Sequence, residues 1–165
     1  MPEGSIALDV WGRAAEAGSR KYRFERGDVL FGKIRPYFHK VVVAPVDGIC
    51  STDAIVIRPR RPDLFGMTVG TVSSVPFVAH AVQTSQGTKM PRANWGVLER
   101  YAVPEPPQQL LARFNDYMVD FVSLIHSLVA TSRSLRATRD LLLPRLISGE
   151  VDVSELDIDV GELVS

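Results

Sequence analysis

Five apolar residues at strict seven-residue spacing, Phe114, Phe121, Leu128, Leu135 and Leu142, constrain this chain more than any other feature. A period of seven returns a side chain to nearly the same face of a helix after two turns, so the row reads as one long amphipathic helix that packs along a partner helix. Tyr117 and Leu124 form a second row, with Met118 and Ile125 next to them, and that row gives out at Thr131, Ser132 and Thr138. Over residues 110–143 such a helix is about 50 Å long at a rise of about 1.5 Å per residue. Pro144 lacks a backbone donor and is expected to end or kink it. One amphipathic helix of this length cannot bury its own stripe. Another helix, from the rest of the chain or from a second chain, has to cover it.

The residues before the helix have a different character. Pro104-Glu105-Pro106-Pro107 is a stiff hinge, and the positions ahead of it are crowded with Gly, Pro and β-branched residues. Residues 22–24 and 29–34 read as short strands joined by the turn Arg26-Gly27-Asp28. Residues 41–44 are a continuous apolar run, a buried strand closed by the turn Pro45-Val46-Asp47-Gly48, and 54–57 are another strand, stopped by Arg58-Pro59. From Pro62 to Gly87 helical signals take over. Asp63 is placed to cap a helix at Leu64, and Val78, Ala79 and Val82 carry the apolar face of a second helix that starts near Pro76. Ser85-Gln86-Gly87-Thr88 is a loop, and 97–103 return to the extended pattern. The expected fold is α/β (α+β): a compact domain over 1–107, a long coiled-coil-like helix over 108–148 and an acidic tail over 149–165.

Charge follows the same division. The chain is neutral, with 19 Lys/Arg and 19 Asp/Glu, yet up to Pro107 the bases lead by 14 to 10 and after it the acids lead by 9 to 5. Residues 13–40 hold eight bases against three acids, and the last 17 residues hold six acids and no base. A basic head permits a polyanion partner, because clustered Lys and Arg attract phosphate. No apolar run is long enough for a membrane helix, and the first residues lack the basic-then-apolar layout of a signal peptide. The single cysteine, Cys50, has no disulfide partner and no neighbours at metal-ligand spacing. A cytoplasmic protein with no metal and no cofactor is expected. Ser51, Asp53, His39 and His80 are the residue types of a hydrolase triad, but no nucleophile elbow or oxyanion-hole pattern accompanies them. Ser51 and Asp53 are expected to make turn hydrogen bonds ahead of a strand.

Three segments, in order along the chain, resemble one family. Phe24-Glu25-Arg26-Gly27-Asp28-Val29-Leu30-Phe31-Gly32-Lys33-Ile34-Arg35-Pro36, followed by Ser51-Thr52-Asp53-Ala54, is similar to a stretch of the target-recognition domains in type I restriction-modification specificity subunits. Gly87-Thr88-Lys89-Met90-Pro91-Arg92-Ala93-Asn94-Trp95, followed by Leu98 and then Val103-Pro104, resembles the loop-then-strand close of the same domain. Arg139-Asp140-Leu141-Leu142-Leu143-Pro144-Arg145-Leu146-Ile147-Ser148-Gly149-Glu150 resembles the end of that family's spacer helix. The resemblance implies recognition domains that each read one half of a split DNA target, and two antiparallel helices that fix the half-site spacing. It also implies methyltransferase (M) and restriction (R) subunits as partners and no active site in the subunit itself. With one domain and one helix, this chain is expected to be at most half a subunit, without the opening part of a recognition domain. It is expected to form a homodimer whose helices pack antiparallel. The expected function is sequence-specific binding of double-stranded DNA, without catalysis. The alternative is a remnant that no longer reads DNA and serves as an oligomerising scaffold.

Two segments supply the candidate DNA contacts. Lys33, Arg35, Tyr37, His39 and Lys40 alternate along 33–40, and in an extended chain the odd-numbered members share one face. A DNA-facing rim is expected there, with Arg35 placed to grip a phosphate or a guanine edge through two nitrogens; a solvated strand is the plainer alternative. Thr88, Lys89, Arg92 and Asn94 sit on a loop punctuated by Gly and Pro, open to phosphates, with an ordinary connecting loop as the alternative. The expected DNA-binding set is therefore Lys33, Arg35, Tyr37, Lys40, Thr88, Lys89, Arg92 and Asn94. The expected helix-packing set is Phe114, Phe121, Leu128, Leu135 and Leu142. Trp95 is read as core ahead of a strand, with stacking on DNA as the alternative. The tail, where acids alternate with Val151, Val153, Leu156, Ile158, Val160 and Leu163, is read as a solvated end; an edge strand or docking segment is the alternative.

Overall fold

A computed structural model describes Met1, Gly4 and residues 6–9, 11–12 and 20–151. Arg13 of the basic head and the acidic tail from 152 onward lie outside the described residues. The chain divides into two compact units, Met1–Val129 and Ala130–Ser165. The expected mixture of short strands and helices is observed, and it is of α+β type. Among the described residues five strands come first: β1 (Lys21–Phe24), β2 (Val29–Gly32), β3 (Val41–Val43), β4 (Gly48–Ser51) and β5 (Ala54–Ile57). They form two antiparallel sheets, β3-β2-β5 and the pair β1-β4.

The central strand shows why the apolar runs are continuous rather than alternating. Val29, Phe31, Val41, Val43 and Ile57 point into the larger core, and Leu30 and Val42 join Phe24 and Ala44 in a smaller one. Successive side chains face opposite sides of a sheet, so a strand covered on both faces must be apolar at every position. β2 follows a turn in which Gly27 has φ 91° and Asp28 N donates to Glu25 O at 3.0 Å. β4 was not expected. Its sequence Gly-Ile-Cys-Ser has no strand pattern, and it lies against β1 where Gly48 faces the Phe24 ring so closely that a Cβ would stand 2.6 Å from the ring's Cζ.

Helix α1 (Phe65–Val72) and helix α2 (Val75–Gln83) fill the segment expected to be helical. Two details differ. Asp63 caps neither α1 nor the 3-10 turn before it; its carboxylate accepts from Arg61 at 3.0 and 3.2 Å and from Gln108 at 3.2 Å. An ion pair with a neighbouring guanidinium has taken the carboxylate away from the backbone. In α2, Ser74 supplies the cap to Phe77 N, and the buried face is Phe77, Val78 and Ala81 rather than Val78, Ala79 and Val82. The apolar run around α2 allowed several phases, and the edge-on contact of Phe77 with Phe31 selects this one. The extended segment expected over 97–103 is also absent. Asn94 Oδ1 accepts from Gly96 N at 2.9 Å and starts a short helix, α3 (Trp95–Leu98). A side-chain cap outweighs the weak β preference of four residues.

Helix α4 runs over Gln108–Ile147, 40 residues. It passes through Pro144 rather than ending there: only three residues follow, so one carbonyl near an exposed helix end loses its partner to water. Within the first unit Leu111 and Val122 are buried, Met118 packs on the larger core, and His126 Nε2 lies 3.2 Å from Val43 O. Gly66 allows the close approach of α1 and α4; its N–H donates to Asn115 Oδ1 at 2.9 Å, and a Cβ there would be 3.0 Å from Asn115 Cα. The docking face is thus Leu111, Asn115, Met118, Val122 and His126. Phe114 stands at the edge of that face, its ring near Gly70 of α1 and partly open to water, while Phe121 and Leu128 lie off it and are exposed; in the second unit Leu135 and Leu142 are exposed as well.

Candidate nucleic-acid interface

The segment 33–40 is not a strand, and its odd-numbered side chains share no strand face. Pro36 fixes its own φ and cannot donate, and Pro36–Phe38 is a 3-10 turn bracketed by two left-handed residues, Arg35 at φ 49° and His39 at φ 47°. His39 N closes the turn on Pro36 O at 2.9 Å, and its ring Nε2 lies 2.8 Å from Ser73 O. Tyr37 is exposed with its ring 4.8 Å from that of Phe38, and Lys40 Nζ stands 5.3 Å from the Phe38 ring centre.

What the backbone does instead is join the two candidate segments. Lys33 N donates to Asp53 O at 2.9 Å, Ala93 N to Lys33 O at 2.9 Å and Arg35 N to Pro91 O at 2.8 Å, so 33–35 and 91–93 run antiparallel around the pair Ile34 and Arg92. On its other side Arg92 exchanges both backbone bonds with Gln86, at 2.8 and 3.0 Å. Gly87, at φ 99°, turns the intervening loop, on which Thr88 and Lys89 are exposed. With its own N–H and C=O held by Gln86 and its neighbours Pro91 and Ala93 held by 33–35, Arg92 has a side chain with a fixed origin and is among the best-placed cations of the domain.

Around Arg92 the surface is concave. A hollow of ≈ 670 Å³ is lined by Arg23, Lys33 and Arg92, by the polar side chains of Thr52, Gln86 and Asn94, and by Tyr22 and Trp95 over the β5 residues 54–56. No Asp or Glu lines it, and none of the three cations forms an ion pair among the described residues. A second hollow of ≈ 530 Å³ takes Arg35 and Lys40, together with Met90, Cys50 and Asp53. There the Arg35 Nε is buried without a hydrogen-bond partner, and burial pushes the Cys50 thiol up against the opposing pull of Lys21. Thr88 and Lys89 line neither hollow, and Tyr37 stands on the 3-10 turn.

The eight expected residues therefore divide: Lys33, Arg92 and Asn94 meet in the first hollow, Arg35 and Lys40 in the second, and Thr88, Lys89 and Tyr37 lie on exposed turns. Asn94 has its side-chain oxygen committed to the α3 cap, which leaves its amide N–H groups to donate. Tyr22, Arg23, Thr52 and Gln86 were not anticipated. Arg23 had a signal, its place in the basic run; the others had none beyond residue type. Trp95 is 40% exposed and is not core, because α3 starts at it and turns Leu98 inward instead. The Ser51 and Asp53 turn bonds are present, Asp53 N donating to Ser51 Oγ at 3.2 Å. Among the described residues no group of three or more His, Cys, Asp or Glu could hold a metal, and no single helix is long and apolar enough to cross a membrane.

No family model matches this sequence. A curated relative, the type I restriction enzyme EcoDI specificity subunit of Escherichia coli, is 28% identical over 158 residues, covering 84% of this chain. The matched part is 35% of the relative's own length, so the chain spans about a third of it. The likeness read from the three motifs thus extends along most of the sequence: this chain is similar to part of a type I restriction specificity subunit.

Proposed function

We propose that this chain is a DNA-recognition module of a type I restriction-modification system, and that it holds duplex DNA against the hollow around Arg92. The observation that carries the reading is the cluster of Arg23, Lys33 and Arg92, three cations without a carboxylate among them, in a chain similar to a specificity subunit. Unpaired cations gain most from meeting phosphates, since each contact releases condensed counterions from the DNA. Arg92, with its backbone held on both sides, suits two-point contact with a guanine edge. Lys89 on the exposed loop, and Arg35 and Lys40 beside it, extend the cationic surface and position the duplex. The module acts in the cytoplasm, reads a specific sequence and does no chemistry itself; M and R subunits supply that. A second copy covers the exposed row Phe114, Phe121, Leu128, Leu135 and Leu142 by packing its own helix antiparallel, which sets two reading surfaces at a fixed separation.

Binding of a mixed-sequence duplex, followed by fluorescence anisotropy across a salt series, tests the reading. Each phosphate contact contributes roughly −0.9 to the slope of log affinity against log salt. Lys33→Ala and Arg92→Ala together should weaken binding and flatten the slope by about 2 units. Unchanged affinity and slope in that double variant would remove the hollow from the interface.

A further inference from the structure

We propose that Tyr22 and Trp95 touch nucleobases, so that the hollow reads DNA by apolar contact as well as holding its backbone; the inference rests on the DNA reading above. Both rings line the same hollow as Arg23, Lys33 and Arg92 and are 44% and 40% exposed. Among the described residues neither packs against another aromatic ring or beneath a cation. Large aromatic side chains left in water forgo the area they normally bury. These two are not on loose ends either. Tyr22 sits on β1, paired in register with Cys50, and Trp95 is the first residue of α3, directly after the Asn94 cap. The apolar backing continues in the half-buried Ile55 and Val56 of β5.

A surface built for phosphate alone needs only donors and positive charge. Exposed aromatic rings and an apolar floor beside three cations suit a ligand that is anionic at its edge and methyl-bearing inside, which describes a duplex groove with its phosphates flanking thymine methyl groups. The absence of any lining carboxylate argues against a basic or mixed-charge protein segment as the occupant. The two kinds of contact also differ in how salt affects them. Counterion release makes the cationic contribution fall with salt, while aromatic contact with a base does not depend on it. Loss of a ring should therefore lower affinity at every salt concentration without changing the slope.

The 165-residue chain, a duplex that it enriches from a randomised pool and a scrambled control supply the test. Trp95→Ala should bind the enriched duplex about three- to tenfold more weakly, with the wild-type salt slope and reduced preference over the scrambled control. Tyr22→Ala should act in the same direction, and Trp95→Phe should retain most of the affinity. In a Trp11→Phe background, which leaves Trp95 as the sole tryptophan, the enriched duplex should quench its emission; this readout needs no truncation of Trp95. Wild-type affinity in Trp95→Ala with unquenched emission overturns the inference, as does a loss accompanied by a flatter slope, which would mean backbone contact. If Lys33→Ala with Arg92→Ala still flattens the slope in those cases, the DNA reading stands alone. If that double variant changes nothing, the DNA reading fails too. Quenching by a single-stranded RNA control but not by the duplex would assign the rings to a different nucleic acid and also overturn the proposal.

Discussion

Asp28 is the one buried charged side chain among the described residues, 3% exposed in the turn between β1 and β2. Its Oδ1 accepts from Arg58 Nε at 2.7 Å, and its Oδ2 accepts from Arg58 Nη2 at 2.7 Å and from Glu25 N at 2.8 Å. Asp28→Asn preserves the shape, removes the charge and sets an amide N–H group against one of those donors. Breaking a buried ion pair typically costs about 3–5 kcal/mol because a charge is left buried without its partner. Here the partner left behind is Arg58, whose side chain is 54% exposed and returns to water, so the expected loss is smaller, about 2 kcal/mol. Arg58→Ala strands the buried carboxylate instead, with Glu25 N as its remaining donor, and should destabilise more than Asp28→Asn. Urea unfolding at neutral pH measures both. The pH dependence has a fixed sign. Burial pushes the Asp28 carboxyl up, but the Arg58 hydrogen bonds, the Glu25 amide and the Arg58 charge outweigh it and hold the group below its ordinary value of 3.8. The unfolded chain therefore takes up the proton first on acidification. The contribution of Asp28 is complete above about pH 5, one unit above the ordinary value, and disappears as pH falls through the depressed folded value. The stability gap between wild type and Asp28→Asn should accordingly narrow in acid. A variant as stable as wild type at neutral pH, or a gap that widens in acid, would refute the reasoning.

Leu111, fully buried, should cost about 3 kcal/mol as Leu111→Ala, read as a lower urea midpoint with an unchanged slope; a cost below 1 kcal/mol would mean that the first turn of α4 is not docked on its domain. If a second copy covers the heptad row, the wild type should sediment as a dimer at micromolar concentration and Leu128→Glu as a monomer. A monomeric wild type removes the dimer, and a dimeric variant removes this choice of interface.

The strands of the central sheet were legible because their constraint is local: a run such as Val41-Val42-Val43 fits one environment, a strand covered on both sides. The phase of α2 and the fate of 97–103 were not, because distant or subtle contacts decide them. Phe31 fixes which side of α2 turns inward, and one hydrogen bond from Asn94 turns Trp95–Leu98 into a helix. Helix α4 shows both situations on one element. The heptad row announces itself by its period, yet the face that docks on the domain is Leu111, Asn115, Met118, Val122 and His126. An asparagine and a histidine interrupt that face, so it carries no apolar signal, although each is placed by a hydrogen bond, from Gly66 N to Asn115 and between His126 and Val43 O.

The candidate site was legible by segment and not by residue, and the reason lies in how it is assembled. Both segments were marked by cations beside Gly and Pro, but a list of side chains on each cannot say which of them meet. That is settled by bonds between backbone atoms far apart in sequence: Ala93 N to Lys33 O and Arg35 N to Pro91 O. Those bonds are specified by no particular side chain. Once they form, the alternation along 33–40 loses its meaning. Lys33 is carried into the hollow with Arg92, while Arg35 is turned by its left-handed backbone into the neighbouring one. β1 then contributes Tyr22 and Arg23 because its pairing with β4, the strand without a sequence signal, sets it beside the same hollow. The residues that close the site are thus placed by the least legible strand of the fold, and the test of the site is a substitution on that strand's partner, at Tyr22, as much as one on the loop that announced itself.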